Sequence, residues 1–303
     1  MVDTTIDLGS VRLKSPVIAA SGTFGFGREV SSVYDLSQIG GICTKGLTVD
    51  SRSGNPPPRV AETASGMLNS VGLQNPGIDS FIRDELPNML QMGCRIVVNI
   101  AGNSLEDYQI LCRTLDTTKA DVIELNLSCP NVREGCMMIG SDERQIRQVV
   151  SASKAMTTKP LWVKLTPNVT DIVRMACAAE EAGADAVVLI NTLMGLAIDR
   201  TSRRPILHNN TGGLSGPAIK PVALRMVADV FRSVSIPIVG VGGIMNGSDA
   251  IEFLIAGASA VEIGTATLLK PSACLDVQNE MIAIAESDGV DSLKDYSGTL
   301  IAW

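Results

Sequence analysis

Eight short apolar segments, most of them followed by a stretch with clear helical periodicity, constrain the fold of this 303-residue chain more than any other feature. The segments are residues 17–21, 41–45, 95–101, 122–128, 161–166, 186–191, 237–242 and 260–264. Strands that alternate with helices specify a parallel sheet, whose strands are buried on both faces. Eight such units favour closure of the sheet into an α/β barrel of the (β/α)8 type.

The composition agrees with a buried parallel sheet. Apolar residues make up 45% of the chain but aromatic residues only 3%, so the core must consist mainly of Ala, Val, Ile and Leu. The alternative is an open, doubly wound sheet, but the Gly-x-Gly-x-x-Gly pattern that would follow its first strand is missing. Because the chain has no linker-like or low-complexity stretch, we predict one domain over residues 1–303.

Local patterns predict several individual elements. Alternating apolar residues on both sides of Gly9-Ser10 predict an N-terminal β-hairpin. Apolar residues at helical spacing follow Pro217 and predict that this proline is the first residue of a helix. Ser248 is expected to cap the start of a later helix, and Gly257 to close it. The first unit has only residues 30–36 available for a helix and is the weakest of the eight.

Charge and cysteine content exclude several classes of protein. The net charge of −7 argues against a nucleic-acid partner, since phosphate binding needs a basic surface. The seven cysteines are odd in number and scattered, which disfavours a disulfide framework and a metal site. The apolar stretch at residues 17–20 is too short for a signal sequence or a membrane span. We therefore expect a soluble, cytoplasmic protein.

The candidate site residues follow the predicted strands. In a closed parallel barrel the active site lies at the carboxyl ends of the strands. The residues at these ends are Ser21, Lys45, Asn99, Asn126, Lys164, Asn191, Thr192, Gly242, Gly243, Gly264 and Thr265. Single polar residues are expected wherever a strand end meets water, but this does not account for two lysines at one barrel mouth.

The glycines after the last two strands predict a phosphate site. Barrels commonly bind phosphate at this place with backbone N–H groups. Glycine allows the backbone to approach the phosphate oxygens and to adopt positive φ. The phosphate could belong to a substrate or to flavin mononucleotide (FMN).

Three long connections leave the same face of the predicted barrel. Residues 46–77 and 193–216 exceed the ordinary loop length, and long structured loops in compact domains are usually functional. A third segment, residues 132–140, follows Cys129 and is predicted to act as a mobile lid.

Cys129 differs from the other cysteines by its position. It lies just beyond the fourth predicted strand, next to Pro130 and close to Asn126, Ser128 and Asn131. A thiol with a pKa near 8.5 can serve as a base at cellular pH where its surroundings stabilise the thiolate.

The remaining cysteines and the histidine have simpler interpretations. Cys43, Cys94, Cys112, Cys177 and Cys274 are expected to be inert packing residues. The only histidine, His208, is predicted to lie in a surface loop, so a Cys–His nucleophile pair has no local signature.

Five motifs, in order along essentially the whole chain, resemble those of class 1 dihydroorotate dehydrogenases. They are residues 20–27 (ASGTFGFG), 44–46 (TKG), 69–77 (NSVGLQNPG), 126–132 (NLSCPNV) and 212–220 (GGLSGPAIK). The run at 21–27 resembles the B form, the FMN-binding catalytic subunit of an NAD-linked complex.

The resemblance implies an FMN-dependent oxidoreductase of de novo pyrimidine biosynthesis, which binds one FMN per chain and oxidises (S)-dihydroorotate to orotate. It implies FMN contacts at Ser21, Lys45, Gly46, Asn99, Asn126, Lys164, Ile190, Gly216, Gly242, Gly243, Gly264 and Thr265. It implies substrate contacts at Lys45, Asn69, Ser70, Val71, Gly72, Leu73, Asn126, Asn191 and Thr192, with Asn131 as a further candidate. Cys129 would remove the C5 proton while hydride leaves C6 for the flavin; serine serves in other members of the family.

The B form also implies a partner. This electron-transfer subunit would carry FAD and a [2Fe-2S] cluster and pass electrons to NAD, in a heterotetramer of two catalytic and two electron-transfer chains. This sequence has no clustered cysteines and no dinucleotide loop to hold those groups. Two alternatives stay open, a fumarate-dependent homodimer of the A form and a non-redox phosphate-binding barrel. Neither nucleic acid nor a membrane is expected as a partner.

Overall fold

The computed structural model describes residues 2–127 and 139–303. The strands of this part, numbered along the chain, are β1 (Ile6–Leu8), β2 (Val11–Leu13), β3 (Val17–Ala19), β4 (Gly41–Cys43), β5 (Val60–Thr63), β6 (Gly66–Asn69), β7 (Arg95–Ile100), β8 (Val122–Asn126), β9 (Leu161–Lys164), β10 (Ala186–Leu189), β11 (Leu193–Gly195), β12 (Ile198–Asp199), β13 (Arg204–Pro205), β14 (Gly212–Ser215), β15 (Ile238–Val241) and β16 (Ala260–Ile263). The α-helices are α1 (Ile78–Ser80), α2 (Leu86–Met89), α3 (Leu105–Asp116), α4 (Glu143–Lys154), α5 (Ile172–Glu181), α6 (Lys220–Phe231), α7 (Gly247–Ile255), α8 (Thr265–Leu269) and α9 (Ala273–Asp288).

Eight of these strands close into a parallel barrel in the order β3-β4-β7-β8-β9-β10-β15-β16. The last strand pairs with the first through Val261 and Val17, which completes the ring. Each of the eight apolar segments supplies one strand, so the predicted (β/α)8 barrel is confirmed. Every observed strand ends at least one residue earlier than predicted, because the chain turns away at the barrel mouth.

The barrel strands are buried on both faces, because consecutive side chains point to opposite sides of a sheet. On β8, Ile123 and Leu125 pack outward into the large core formed with the helices. Val122, on the same strand, packs inside the barrel with Trp162 and Val188. This double burial explains why the segments read as continuous apolar runs rather than alternating ones.

The N-terminal hairpin belongs to the interior core. Leu8 pairs with Val11 across the turn Gly9-Ser10, as predicted. Ile6, Leu8, Val11 and Leu13 join the interior cluster of the barrel, so the hairpin extends that core at the N-terminal side of the strands.

The predicted cap at Ser248 is wrong, because a better capping residue lies nearby, whereas Pro217 is the first residue of a helical stretch, as predicted. Asn246 caps α7, accepting a hydrogen bond from the Asp249 backbone N–H at 2.9 Å, whereas Ser248 is already helical. After Pro217 the chain forms the 3-10 turn Pro217–Ile219, and α6 begins at Lys220 with Pro221 in its first turn. Proline suits this position because the first helical N–H groups have no partner within the helix.

The connection after the first barrel strand contains no α-helix. It forms only the 3-10 turns Val30–Ser32 and Leu36–Gln38, which agrees with the weak signal in the sequence. The longest described helix, α9, has 16 residues. Among the described helices, none has the length and apolarity needed to cross a membrane.

The connections 46–77 and 193–216 together build one antiparallel sheet beside the barrel mouth. Its strand order is β11-β14-β6-β5. β6 pairs with β14 through Asn69 and Gly213, and the Asn69 Nδ2 donates to the Gly213 carbonyl oxygen at 3.4 Å. Long loops at this face were predicted from the sequence, but their pairing with each other was not.

Replacement of Gly66 by alanine tests the pairing of β6 with β14. A Cβ at this position would lie 2.0 Å from the carbonyl oxygen of Ser215, so the two strands would have to move apart. We expect Gly66→Ala to lower the free energy of unfolding by about 1–3 kcal/mol in urea denaturation. The control is Ser65→Ala at the adjacent exposed residue, which should stay within about 0.5 kcal/mol of the wild type. Equal stability of Gly66→Ala and the control would contradict this close pairing.

Candidate active site

A pocket of about 480 Å³ lies at the carboxyl ends of the barrel strands. This volume is in the range of small-molecule and cofactor sites, about 300–1,000 Å³. All eight barrel strands contribute to the lining, with residues at or just beyond their ends. The four-stranded sheet forms a further wall, through Val60, Met67, Asn69, Gly213 and Ser215. The pocket therefore lies between the barrel rim and the two paired connections.

The pocket brings together most of the residues predicted for the site. Those that line it are Ser21, Lys45, Gly46, Asn69, Val71, Gly72, Leu73, Asn99, Asn126, Lys164, Ile190, Asn191, Thr192, Gly216, Gly242, Gly243, Gly264 and Thr265. Ser70 is not among the lining residues, and its side chain is fully buried. Cys129, Ser128, Asn131 and residues 132–138 of the expected lid fall outside the described residues, so their roles stay predictions. His208 is exposed in a turn, as expected.

Amide side chains form one side of the pocket. The Asn191 Nδ2 donates to the Asn126 Oδ1 at 3.4 Å, and the Thr192 backbone N–H donates to the Asn191 Oδ1 at 2.7 Å. The Tyr108 hydroxyl donates to the Asn126 carbonyl oxygen at 2.9 Å and so anchors the end of β8. Because amides both donate and accept hydrogen bonds, this wall suits a ring edge that carries N–H and C=O groups.

Both lysines at strand ends line the same pocket. Lys45 is half-buried, and burial together with the nearby charge of Arg59 lowers the pKa of Lys45. Lys164 is almost fully buried, and its Nζ lies 2.5 Å from the Glu262 Oε2 and 3.8 Å from the Glu124 Oε1. Burial alone would lower the pKa of Lys164, but the charges of the two carboxylates outweigh it and raise that pKa.

Glu124 and Glu262 are fully buried inside the barrel below the pocket. The Asn99 Nδ2 donates to the Glu124 Oε1 at 2.5 Å, and the Cys43 Sγ donates to the same oxygen at 3.3 Å. Burial, and then the charge of Glu124, raises the pKa of Glu262 to about 8, although Lys164 opposes the shift. One ligand atom each from Cys43, Glu124 and Glu262 lies within 4.8 Å of the others. The cation that this group contacts in the structure is the ammonium of Lys164.

The two carboxylates were not predicted as functional residues, although the sequence contains a signal for them. Glu124 interrupts the apolar segment 122–126, and Glu262 interrupts 260–263. A carboxylate in a strand that is buried on both faces must be paired or protonated, because burial of an isolated charge is very costly. Cys43 is buried, as expected for a packing residue, but it also donates a hydrogen bond to this cluster. Burial raises the pKa of the Cys43 thiol well above its usual value.

The glycines after β15 and β16 lie at another side of the pocket. Gly242 and Gly243 have φ values of 134° and 78°, which favour glycine over other residues. A Cβ on Gly243 would lie 2.9 Å from the Gly216 carbonyl oxygen, so these two backbone segments are in close contact. The Thr265 Oγ1 donates to the Ser215 Oγ at 2.8 Å and links the barrel rim to the four-stranded sheet.

Comparison with known proteins identifies a family for the chain. Residues 4–284 match the family model described as dihydroorotate dehydrogenase. A relative from Caldicellulosiruptor bescii, named dihydroorotate dehydrogenase B (NAD(+)), catalytic subunit, is 50% identical over 295 residues, covering 97% of this chain and 98% of the relative. Proteins with the same name from Geotalea uraniireducens and Bacteroides thetaiotaomicron are 50% and 48% identical over 300 and 301 residues. These matches cover 99% of this chain in both cases, and 98% and 99% of the two relatives.

Replacement of Lys164 by methionine tests the buried ion pairs. Removal of one partner of a buried pair leaves an uncompensated charge, so we expect Lys164→Met to lower the free energy of unfolding at pH 8 by about 3–5 kcal/mol. The loss should be smaller at about pH 5.5, because protonation of the carboxyl groups relieves their repulsion in the folded state. Urea denaturation at the two pH values measures both effects.

The matched control for this variant is Lys270→Met. Lys270 forms an exposed ion pair with Asp276 at 2.8 Å. An exposed pair contributes roughly 0–1 kcal/mol, so the control should show little change at either pH. A loss in Lys164→Met that is equally small, or that does not depend on pH, would contradict the pairing of the Lys164 ammonium with the carboxylates of Glu124 and Glu262.

Proposed function

The chain belongs to the dihydroorotate dehydrogenase family, and from this premise we propose that it oxidises (S)-dihydroorotate to orotate in pyrimidine biosynthesis. The observation that carries the proposal is one pocket in which asparagine amides, two lysines and glycine-rich strand ends meet. The amides can hydrogen-bond the edge of a pyrimidine ring, and the lysines can offset the charge of an anionic substrate. The glycines can present backbone N–H groups to a nucleotide phosphate. Family membership favours this activity over that of a non-redox phosphate-binding barrel.

We propose that the whole chain serves as one FMN-binding domain with one FMN in this pocket. When bound, FMN would supply the acceptor for the hydride that leaves C6 of dihydroorotate. Among the described residues, the Oδ1 of Asn99 is buried without a hydrogen-bond partner, and Asn99 lines the pocket. A free acceptor of this kind suits a ring N–H of the isoalloxazine, since buried polar groups are normally paired. The fit of the pocket to a flavin therefore has support from an unpaired group as well as from the family.

The residues proposed to hold FMN form two groups. Gly216, Gly242, Gly243, Gly264 and Thr265 would bind the phosphate through backbone and hydroxyl groups. The ring would contact the remaining predicted residues, which are Ser21, Lys45, Gly46, Asn99, Asn126, Lys164 and Ile190. The ammonium of Lys164 would stabilise negative charge on the bound ring, an electrostatic effect that is strong in a site from which water is excluded.

The substrate would lie against the amide wall. Asn126 and Asn191 would hydrogen-bond the edge of the pyrimidine ring, together with Thr192 and with Asn69 from the four-stranded sheet. Lys45 would offset the negative charge of the substrate carboxylate. Val71, Gly72 and Leu73, which line the pocket, would complete the contacts, whereas Ser70, which precedes them in the chain, is buried.

Cys129 is proposed as the base that removes the proton from C5. It lies three residues beyond Asn126 in the chain, and Asn126 is a pocket residue anchored by Tyr108. A base must be held in contact with so weakly acidic a proton, and a short side chain three positions along the chain from an anchored strand end suits this role.

We further propose that electrons leave through a partner subunit to NAD. The support is the printed name of the relatives, a catalytic subunit of an NAD(+)-linked enzyme. The partner would carry FAD and a [2Fe-2S] cluster, in a heterotetramer of two catalytic and two electron-transfer chains. Cytoplasmic location is proposed as well, because the five described cysteines are all free thiols.

Assays of the purified chain with different acceptors test the function. The chain should carry one flavin, seen in its visible spectrum, and anaerobic dihydroorotate should bleach it. NAD should be reduced only after the partner subunit is added, and fumarate should not be reduced. A colourless chain would contradict FMN binding. Turnover with fumarate by the chain alone would instead identify the homodimeric A form.

Substitution of Cys129 by serine tests the base. Because serine is far less acidic than cysteine, reduction of the flavin by dihydroorotate should slow by about 10²–10⁴-fold in anaerobic stopped-flow measurements. Flavin binding should persist. Cys177→Ser is the control, because Cys177 lies half-buried on the outer helix α5 and should leave the rate unchanged. Near-normal reduction in Cys129→Ser would refute the assignment.

A further inference from the structure

The buried carboxyl groups of Glu124 and Glu262 are held by a small set of polar contacts. The Glu124 Oε1 accepts from the Asn99 Nδ2 and the Cys43 Sγ. The Glu262 Oε2 accepts from the Lys164 Nζ at 2.5 Å. These contacts satisfy one oxygen of each carboxyl group.

The second oxygen of each group lacks a partner. Within residues 2–127 and 139–303, the Glu124 Oε2 and the Glu262 Oε1 are buried atoms without a hydrogen bond. Carboxyl oxygens of the two residues lie within 4.8 Å of each other, so two negative charges here would repel. A buried acceptor without a hydrogen bond destabilises the folded protein. A proton on one of the two carboxyl groups would turn one oxygen into a donor and remove the charge repulsion between the groups.

The charges of Glu124, Glu262 and Lys164 also indicate that the two carboxyl groups together bind one proton. With both carboxyl groups ionised, the cluster with the Lys164 ammonium carries a net charge of −1, and with one proton bound it is neutral. A net charge in the interior of a protein is costly, so the neutral form is favoured. The only other titratable group that faces the cluster from the described barrel strands is the Cys43 thiol on β4. In the sheet, Ile18 and Val241 pair with Glu262, and Val188 pairs with Lys164, so these neighbours are apolar.

We propose that Glu124 and Glu262 share one proton at neutral pH and act as positioning residues, which keep the charge of the Lys164 cluster at zero beneath the pocket. The functional part of this inference rests on the proposed function, because it concerns the ligand that Lys164 faces. A neutral cluster allows the Lys164 ammonium to stabilise negative charge in the pocket. Loss of the proton would place a net negative charge below the ligand and oppose that stabilisation.

The raised pKa of Glu262, about 8, agrees with this geometry. An acid whose folded-state pKa lies above its ordinary value of 4.5 binds more protons in the folded than in the unfolded state between these two values. Stability should therefore fall as pH rises from about 4.5 to about 8, and the shared proton should leave near the upper limit.

Infrared difference spectroscopy of the purified protein can detect the shared proton directly. The wild type should show the C=O stretching band of a protonated carboxylic acid at about pH 6, and this band should disappear by about pH 10. Glu262→Gln and Glu124→Gln should both lack the band, because the remaining carboxylate pairs with Lys164. The control Glu286→Gln, at an exposed position of α9, should retain it. The wild-type titration decides the question even where a variant fails to fold.

The midpoint potential of the bound flavin provides a second readout, which a merely structural role would not change. Above about pH 8 the wild-type potential should fall more steeply with pH than that of Glu262→Gln, because only the wild type gains the negative charge. Absence of the acid band in the wild type at low pH overturns the shared proton. Identical pH profiles of the potential overturn the positioning role. A colourless protein would contradict the proposed FMN site, whereas the infrared titration would still decide the proton.

Discussion

Closure of the barrel by the pairing of β16 with β3 is the constraint on which the rest of the structure depends. The register Val261 to Val17 and Ile263 to Ala19 joins the two ends of the sheet. Because all eight strands are parallel, closure brings their carboxyl ends to one rim, where residues far apart in sequence become neighbours. Lys45 and Thr265 line the same pocket only because the ring is complete. No site of this composition could form on an open edge.

Closure also creates an interior that must be filled, and the chain fills it unevenly. Near the N-terminal hairpin the filling is apolar, with Leu8, Leu13 and Trp162 fully buried. Toward the pocket the interior positions become polar or charged, at Asn99, Glu124, Lys164 and Glu262. Replacement of such charges by apolar residues is often neutral or stabilising. These polar and charged residues lie at the pocket end of the interior, so ligand binding explains them better than a contribution to stability does.

The parts of this structure that follow local rules could be predicted from the sequence. The eight strands were visible because double burial produces continuous apolar runs, and the strand-end residues were candidates because a parallel barrel has one functional rim. The pairing of Asn69 with Gly213 joins two loops across 144 positions, and no local pattern encodes it. The cap at Asn246 depended on a choice between two suitable residues. Glu124 and Glu262 could have been found, since a carboxylate within a buried strand requires a partner.

The pocket lies between the four-stranded sheet on one side and the charged residues of the barrel interior on the other. The sheet covers one side of the pocket, and electrostatic interactions strengthen where burial lowers the local dielectric. The lowered pKa of Lys45 is a consequence of this burial, reinforced by Arg59. Lys164 is buried more deeply than Lys45, but its two carboxylates reverse the effect and raise its pKa. Two lysines at one rim therefore differ in their ease of deprotonation, because only one of them is bound to acids inside the barrel.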